Sequence, residues 1–313
     1  MKKYKLTFLL KIFLGIIISV IFTGCASKKE IRNLSGIKLS DTKLQEIVFK
    51  NNEQNIDLAA LLFIPKKDGP LPAAVIIQGS GTSQRDNAWY LTLAQHLQNN
   101  GIIVLLPDKR GSEKSKGNWR TVSFEDLATD TNAALDYLKQ YGLPISSIGV
   151  IGLSQGGQIA PIVASQNTDV NFVINVVGAC ESMRKQFQYE ENNNLREIGF
   201  FPVISNGIAI ISTFYHRNLG PNKLFWKAIG NFKPLEYWEK VNVPVFVIYG
   251  DKDTNVNSKR NANKLEGLEK SNIKVKTYLG SGHAMEDPIG TGQAIFRKDA
   301  LNDITNFINS TKI

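Results

Sequence analysis

From residue 71 onward, short runs of branched apolar residues alternate with longer amphipathic segments. PAAVIIQG, IIVLLPD and SSIGVIGLS are typical of buried strands, and each is followed by a helical stretch such as WYLTLAQHLQNNG. This alternation indicates a mostly parallel sheet with helices on both faces. Before it, QEIVFK and DLAALLFI are separated by a polar turn and predict an antiparallel hairpin. The expected fold class is α/β.

The N-terminal segment is typical of a secretory signal, with a basic start, an apolar run broken only by Lys11, and small residues before Cys25. The stretch FTGC resembles the lipobox of bacterial lipoproteins, in which the cysteine is lipidated, although Phe22 stands where leucine is usual. An uncleaved anchor and a chance cysteine are the alternatives. We therefore predict a signal peptide at 1–24, a linker at 25–45 and a lipid anchor in a bacterial envelope membrane.

Cysteine content and charge limit the other possibilities. If Cys25 is acylated, Cys180 has no partner for an internal disulfide. Four lysines of the signal contribute to the net charge of +9, so the remaining chain has 33 basic and 28 acidic residues, or +5. No block of Lys and Arg accompanies an aromatic stacking pattern, so we expect no nucleic-acid partner.

Ser154 lies in GLSQG, between the strand-like SSIGVIG and the helix-like QGGQIAPIVA. G-x-S-x-G between a strand and a helix is the pattern of a nucleophile elbow. Gly152 and Gly156 remove Cβ atoms where the chain turns sharply, so the serine Oγ can stand clear of the backbone. A phosphate-binding loop would need a lysine followed by Ser or Thr, which is absent. Ser154 is the candidate nucleophile.

A nucleophilic serine needs a base and an acid that orients the base. His96 lies inside an amphipathic helix and His216 in an aromatic-rich segment, whereas His283 follows the strand IKVKTYLG. Loops at the carboxyl ends of parallel strands carry the chemistry of open α/β sheets, so we expect His283 to be the base. The chain order serine, acid, histidine places the acid after VPVFVIYG, at Asp251 or Asp253.

The stretch GDKDTNV resembles the acid loop of α/β-hydrolases, where the carboxylate lies three residues past the glycine. This resemblance selects Asp253, and Asp251 would then hold the loop through an Asx turn. For the oxyanion hole we expect the backbone N–H of Gln155 and one from the loop QGSGTSQRD, which we assign to Ser80. Many relatives begin this loop with His-Gly, where this chain has Gln78 and Gly79.

QGSGTSQRDN, LPDKRGSEKSKGNW, GLSQGGQIAP, YGDKDTNV and GSGHAM, in that order, resemble the bacterial α/β-hydrolases of the esterase and serine aminopeptidase-like groups. The resemblance covers 46–313 and implies an α/β-hydrolase fold. It also implies that Arg110 holds loops together in PDKRG and that Arg85 and Asp86 form a structural pair. An insertion at about 181–241 implies a helical cap over the active site.

The cap segment is rich in aromatic residues, and some of Phe201, Phe214, Tyr215 and Trp226 are expected to line a substrate pocket. The resulting functional hypothesis is a serine hydrolase that cleaves small-molecule carboxylic esters through an acyl-enzyme, without cofactor or metal. An aminopeptidase or amidase, a thioesterase, and a non-catalytic envelope binding lipoprotein are the alternatives. An aminopeptidase would need a carboxylate for the substrate ammonium, and the candidates are Glu181, Glu190 and Glu191.

Overall fold

The computed structural model describes residues 44–221, 223–287 and 296–311, so the predicted signal peptide and Cys25 lie outside them. These residues form one eight-stranded sheet in the order β1-β2-β4-β3-β5-β6-β7-β8. The strands are β1 (Leu44–Asn51), β2 (Ile56–Phe63), β3 (Leu71–Ile77), β4 (Ile103–Pro107), β5 (Ile145–Leu153), β6 (Phe172–Val176), β7 (Val245–Gly250) and β8 (Ile273–Tyr278).

Nine α-helices accompany the strands in this part of the chain. They are α1 (Ala88–Asn99), α2 (Phe124–Gln140), α3 (Gly156–Gln166), α4 (Met183–Glu197), α5 (Pro202–Asn218), α6 (Lys223–Ile229), α7 (Pro234–Trp238), α8 (Ser258–Glu266) and α9 (Lys298–Ser310). A short 3-10 helix, Trp119–Thr121, lies before α2. None of the helices within the described ranges is both long enough and apolar enough to cross a bilayer.

The predicted hairpin and parallel sheet are both confirmed. β1 pairs with β2 and β2 with β4 in antiparallel register, whereas every pairing from β4 and β3 through to β8 is parallel. β1 begins at Leu44, which pairs with Phe63. The final two residues of the predicted linker therefore belong to the sheet, because strand pairing extends beyond the apolar run that the sequence displays.

The core lies on both faces of the sheet, as period-two alternation requires. In β2, Ala60 and Leu62 enter the apolar layer under α2, α3 and α8, while Leu61 and Phe63 enter the layer under α1 and α9.

The start of helix α2 is defined by its local sequence. The Ser123 hydroxyl accepts from the N–H of Asp126, whose carboxylate accepts from the Ser123 N–H. This capping box satisfies two N–H groups that the start of a helix leaves free.

The four helices α4 to α7 are inserted between β6 and β7, at the carboxyl end of the parallel strands. α4 and α5 pack together, α6 contacts α5 and the 3-10 helix, and α7 packs on α3. The insertion therefore lies at the end of the sheet at which the elbow and the loops after β7 and β8 emerge, and Tyr189 and Asn193 of α4 donate to carbonyl oxygens of the loop after β7.

Candidate active site

Ser154 stands at a sharp turn between the last residue of β5 and the first turn of α3. Its φ of 53° is in the left-handed region, which residues other than glycine rarely adopt. A Cβ on Gly152 would lie 2.3 Å from the Gly156 carbonyl oxygen, and a Cβ on Gly156 would lie 2.0 Å from that of Ile77. Only glycine fits at either position, so the two glycines permit the turn that exposes the serine side chain.

The structure brings Ser154, His283 and Asp253 together from three separate loops. His283 Nδ1 lies 2.8 Å from Asp253 Oδ2, and His283 Nε2 lies 2.9 Å from Ser154 Oγ. With a carboxylate as acceptor, the ring proton belongs on Nδ1, and the Nε2 lone pair then faces the serine hydroxyl. In this arrangement a serine proton can pass to the imidazole as the oxygen attacks an electrophile.

The carboxylate of Asp253 is held on both of its oxygens and is fully buried. Oδ1 accepts hydrogen bonds from the N–H groups of Asn255 and Val256 at 2.8 and 2.9 Å, which leaves Oδ2 for the histidine. Asp251 points elsewhere, because its Oδ1 accepts from the Gly280 N–H at 2.6 Å. Of the two carboxylates that the sequence offered, the geometry places only Asp253 against the histidine.

The histidine loop is fixed by contacts that the sequence analysis did not identify. Gly282 N–H donates to Glu286 Oε1 at 2.9 Å, and the Arg297 guanidinium donates to Ser281 Oγ at 2.8 Å. On the other side, the Trp89 ring packs against the His283 ring with centroids 5.9 Å apart. No motif in the sequence marks Trp89 or Arg297, because their proximity to the loop depends on the packing of α1 and on the start of α9.

The loop after β3 passes directly beside the nucleophile. A Cβ built on Gly79 would lie 3.3 Å from Ser154 Cβ, and the Gly79 N–H donates to the Tyr90 hydroxyl at 2.8 Å. The next residue, Ser80, is exposed. Gln155 immediately precedes α3, where the first N–H groups of a helix have no intrahelical acceptor. Gln155 and Ser80 thus flank Ser154, and their roles as oxyanion donors remain predictions.

Lys109 is a second residue that the sequence analysis missed. Its ammonium donates to the Gly79 carbonyl oxygen and lies 3.2 Å from Gln155 Oε1, so it links the loop after β3 to the start of α3. Burial lowers the pKa of Lys109 to about 7. In PDKRG this lysine looks like an ordinary exposed cation, and only the fold shows that it is half-buried and contacts the segments on both sides of the nucleophile.

The predicted structural pair of Arg85 with Asp86 is wrong, whereas Arg110 holds its loop as the resemblance implied. Arg85 binds Asp108 through Nε and Nη2 at 2.8–3.1 Å, rather than its neighbour Asp86. Arg85 and Asp86 are the central residues of a turn closed by the Asn87 N–H on the Gln84 carbonyl oxygen, and the fold supplies the buried Asp108 carboxylate to the arginine instead. Arg110 forms a fork on Asp130 at 2.7 and 2.8 Å and so ties its loop to α2.

The four aromatic candidates for a substrate pocket divide into two groups. Trp226 is buried and packs edge-on against Phe187 with centroids 5.2 Å apart. Phe201 and Phe214 are 75% and 62% exposed on the outside of the insertion, and Tyr215 is half-buried. Neither phenylalanine therefore lines an enclosed pocket. In the part of the chain described, no group of three or more His, Cys, Asp or Glu side chains could hold a metal ion.

Family comparisons agree with this arrangement of elements. The model of the family described as BAAT / Acyl-CoA thioester hydrolase C terminal matches residues 132–302, more than half of the chain. The model of X-Pro dipeptidyl-peptidase (S15 family) matches residues 54–209. Esterase EstD of Thermotoga maritima is 25% identical over 245 residues, which are 73% of this chain. The match spans only 58% of the length of that relative.

Solved structures share the fold at low sequence identity. The Pyrococcus furiosus esterase Pf2001 superposes with a TM-score of 0.64 at 16% identity, over 87% of this chain and 92% of that one. Est1E from Butyrivibrio proteoclasticus, solved with ferulic acid bound, gives a TM-score of 0.59 at 19% identity, over 84% and 96% of the two chains. These likenesses concern the fold.

Proposed function

Because the chain belongs to the BAAT / acyl-CoA thioester hydrolase C-terminal family of the α/β-hydrolase superfamily, we propose that it is a serine hydrolase of carboxylic esters. The observation that carries the proposal is the continuous hydrogen-bonded chain from Asp253 through His283 to Ser154. Its three members come from positions separated by 129 and 30 residues. The stability of the fold does not require a carboxylate, an imidazole and the hydroxyl of a serine with a strained backbone to be aligned in this way, whereas nucleophilic catalysis does.

The proposed reaction has two halves. Ser154 Oγ attacks the ester carbonyl carbon while His283 Nε2 takes the hydroxyl proton, and the tetrahedral intermediate collapses as that proton passes to the departing alcohol. Water then attacks the acyl-enzyme, giving its proton to His283, and the serine leaves with that proton as the acid is released. Asp253 stays ionised and holds the imidazolium that forms in each half.

The oxyanion of each tetrahedral intermediate is assigned to the N–H groups of Gln155 and Ser80. The Gly79 N–H already has an acceptor in Tyr90, which supports Ser80 as the donor from this loop. Lys109 links the two donor segments through its contacts with the Gly79 carbonyl and the Gln155 side chain. Donors fixed before the reaction need no rearrangement when charge develops.

A thioester is the second candidate substrate class, favoured by the description of the matching family. The same serine chemistry applies, with a thiol in place of the alcohol as the leaving group. The two classes differ only in the leaving group, so both pass through the same acyl-enzyme. A comparison of substrates with a common acyl chain distinguishes them.

The aminopeptidase alternative has less support in the geometry. Its three candidate carboxylates already have partners: Glu181 pairs with Arg260 at 2.6 Å, Glu190 accepts from Asn255 at 3.0 Å, and Glu191 accepts from Ser212 at 3.0 Å. A substrate ammonium would have to displace one of these contacts. A purely binding role has less support as well, because binding does not require a nucleophile aligned with a base.

The test is turnover of p-nitrophenyl esters of several acyl lengths, the matching acyl-CoA thioesters, and amino-acid p-nitroanilides. We expect ester hydrolysis that Ser154→Ala lowers by roughly 10⁴–10⁶-fold in kcat. A fluorophosphonate probe should label wild type at Ser154 and leave the alanine variant unlabelled. Thioester turnover well above ester turnover would move the assignment to the second candidate. Labelling at the buried Ser281 instead of Ser154 would refute the elbow assignment.

We also propose that the mature protein is held at an envelope membrane by lipid on Cys25. The support is the sequence pattern of residues 1–25 alone. Cys25→Ser should make the protein removable from the membrane fraction by a high-salt wash that leaves the wild type bound, because salt weakens contacts with charged headgroups but not a lipid anchor. Ester hydrolysis should be retained, since the sheet begins only at Leu44. Mass spectrometry that finds an unmodified Cys25 in native membranes would contradict the proposal.

A further inference from the structure

The helix α5 has its apolar face turned outward. Nine of the eleven large hydrophobic side chains that are exposed in the described chain fall between residues 198 and 224. We call them the outer face: Ile198, Phe201, Val203, Ile204, Ile210, Ile211, Phe214, Leu219 and Leu224. Those within α5 are spaced by seven residues, from Val203 and Ile204 to Ile210 and Ile211, and then by three or four to Phe214, so they form one stripe along the helix.

The opposite side of α5 is buried although most of it is polar. Ser205, Ser212, Thr213 and His216 are at most 8% exposed. Ser205 Oγ donates to Asn192 at 2.6 Å, and Ser212 Oγ lies 3.0 Å from Glu191 on the neighbouring helix α4. These bonds fix the rotation of α5. Turning the helix to bury its apolar stripe would break them and leave two half-buried acceptors on α4 without these donors.

Such a face marks an interaction surface rather than an ordinary feature of a monomer. Single exposed apolar residues are common, but a continuous apolar patch on a soluble surface is not. No other part of the described chain covers these side chains, since α5 contacts α4 and α6 with its other sides. The sequence of α5 is therefore adapted to something outside the described fold.

The rim of the outer face is basic. Arg196, Arg217, Lys223 and Lys227 are exposed there, with Glu197 as the only acid between residues 196 and 231. Arg217, Lys223 and Lys227 stand around one hollow beside α6, and Asn231 lies in the same hollow. Within the described residues none of these four cations forms an ion pair with a carboxylate. Three cations around a hollow suit a phosphate-bearing group.

We propose that the outer face seats on a bilayer that contains anionic phospholipid, with the basic hollow against the headgroups. An apolar face with Lys and Arg beside it is the composition of interfacial helices, and basic residues are attracted to anionic lipid. A second copy of this chain fits less well. A twofold interface sets the same patch against itself and so brings the two basic rims together.

The position of the N-terminal sequence agrees with this partner. An apolar run and Cys25 precede the first strand, and residues 26–43 can extend over at most roughly 60 Å at about 3.3 Å per residue. A tether of this length allows the domain to present any of its faces to the membrane. The outer face then selects one orientation, in which the helical insertion lies at the lipid surface.

The test uses the full chain with Cys25→Ser, so that an introduced cysteine is the only accessible thiol, because Cys180 is 2% exposed. An environment-sensitive NBD label is placed on Phe214→Cys. Val48→Cys is the matched control, since Val48 is 66% exposed on β1 and does not belong to the outer face. Vesicles of phosphatidylethanolamine with phosphatidylglycerol are compared with phosphatidylcholine vesicles, with and without nitroxide-labelled lipid.

On anionic vesicles we expect the label at 214 to shift to the blue and to brighten about twofold or more, with quenching by nitroxide lipid. The label at 48 should change little, although both chains carry the same N-terminal segment. Combined substitution of Arg217, Lys223 and Lys227 by Gln should reduce the response at 214.

Equal responses at 214 and 48 would overturn the proposal, as would a shift at 214 that depends on protein concentration without lipid. The latter result would instead identify a second copy as the occupant. Ester hydrolysis of a soluble substrate is measured on the same samples, so loss of lipid contact is distinguished from failure of the enzyme assignment.

Discussion

The helices α2 and α5 are both 17 residues long and differ in almost every other respect. α2 lies on the sheet, begins with a capping box, and buries Phe124, Leu127 and Leu135. α5 has no side-chain cap, and its buried side is two serines, a threonine and a histidine besides Ile208 and Ala209, while its three other isoleucines are exposed. The apolar residues of α2 are those that face the sheet. In α5 the buried polar residues bond to α4, and the exposed apolar residues are the ones that we propose to contact lipid.

The largest effect should appear in turnover, when the aspartate loop after β7 is compared with the outer face. Asp253→Asn should lower kcat by roughly 10³–10⁴-fold, because the histidine loses the carboxylate that fixes its tautomer. Asp251→Asn is the matched control two residues away and should cost far less, since Asp251 binds only the Gly280 N–H and Lys252. On the outer face, Ile211→Ser should leave turnover of a soluble ester within about twofold. Steady-state kinetics with one p-nitrophenyl ester measure all three, and a reversed order of the two aspartates would refute the assignment.

The second difference concerns stability. Leu135→Ala in α2 should lower the free energy of unfolding by about 2–5 kcal/mol, because Leu135 is completely buried and the truncation leaves a cavity. Ile211→Ala in α5 should change it by about 0.5 kcal/mol or less, because Ile211 is 54% exposed. Urea unfolding monitored by circular dichroism gives both values. A large loss at Ile211 would mean that the outer face is covered within the protein itself.

Two lysines differ in how stability should depend on pH: Lys109 is half-buried beside the elbow, and Lys227 is exposed beside the outer face. Burial lowers the pKa of Lys109 to about 7, so between pH 7 and 10.5 the unfolded chain binds more protons than the folded one. Stability attributable to this group is therefore lowest below pH 7 and increases through that window, by less than about 1.4 kcal/mol per pH unit. Lys109→Met should remove this slope from urea-unfolding curves at pH 7, 8 and 9. Lys227→Met, at an exposed position, should keep it, and identical slopes in wild type and Lys109→Met would contradict the prediction.

The smallest expected effect is at the helix starts. Ser123→Ala should lower the free energy of unfolding by about 1 kcal/mol, because it removes the acceptor for the Asp126 N–H and half of the capping box. Phe201 occupies the equivalent position before α5 and makes no side-chain cap. Phe201→Ala should therefore cost less than about 0.5 kcal/mol. Thermal unfolding of the two variants measures both losses of stability. Equal losses would mean that water replaces the Ser123 hydroxyl as acceptor at no cost, which would contradict the prediction.

The sequence by itself determined the sheet and the position of the elbow. Strand runs, amphipathic helices and the Ser123 cap are local patterns, so the chain near each residue contains the information. Gly152 is equally local, since the clash that it avoids is with the turn itself, whereas the clash at Gly156 is with Ile77 of β3, which is distant in sequence. The loop position of His283 after a predicted strand indicated the base, and the order of serine, acid and histidine restricted the acid to two aspartates. The resemblance of GDKDTNV to the acid loop of α/β-hydrolases then selected Asp253.

Only the tertiary structure decided which groups meet. Asp251 and Asp253 have the same chemistry and lie on the same loop, and the backbone N–H groups that hold Asp253 are what turn its other oxygen to His283. Three other features have the same cause: Arg85 binds Asp108, Lys109 is half-buried beside the elbow, and the apolar stripe of α5 faces outward. Each depends on contacts between segments distant in sequence, and the free energy of such contacts is set by burial and hydrogen bonding in the packed fold, which no local pattern contains.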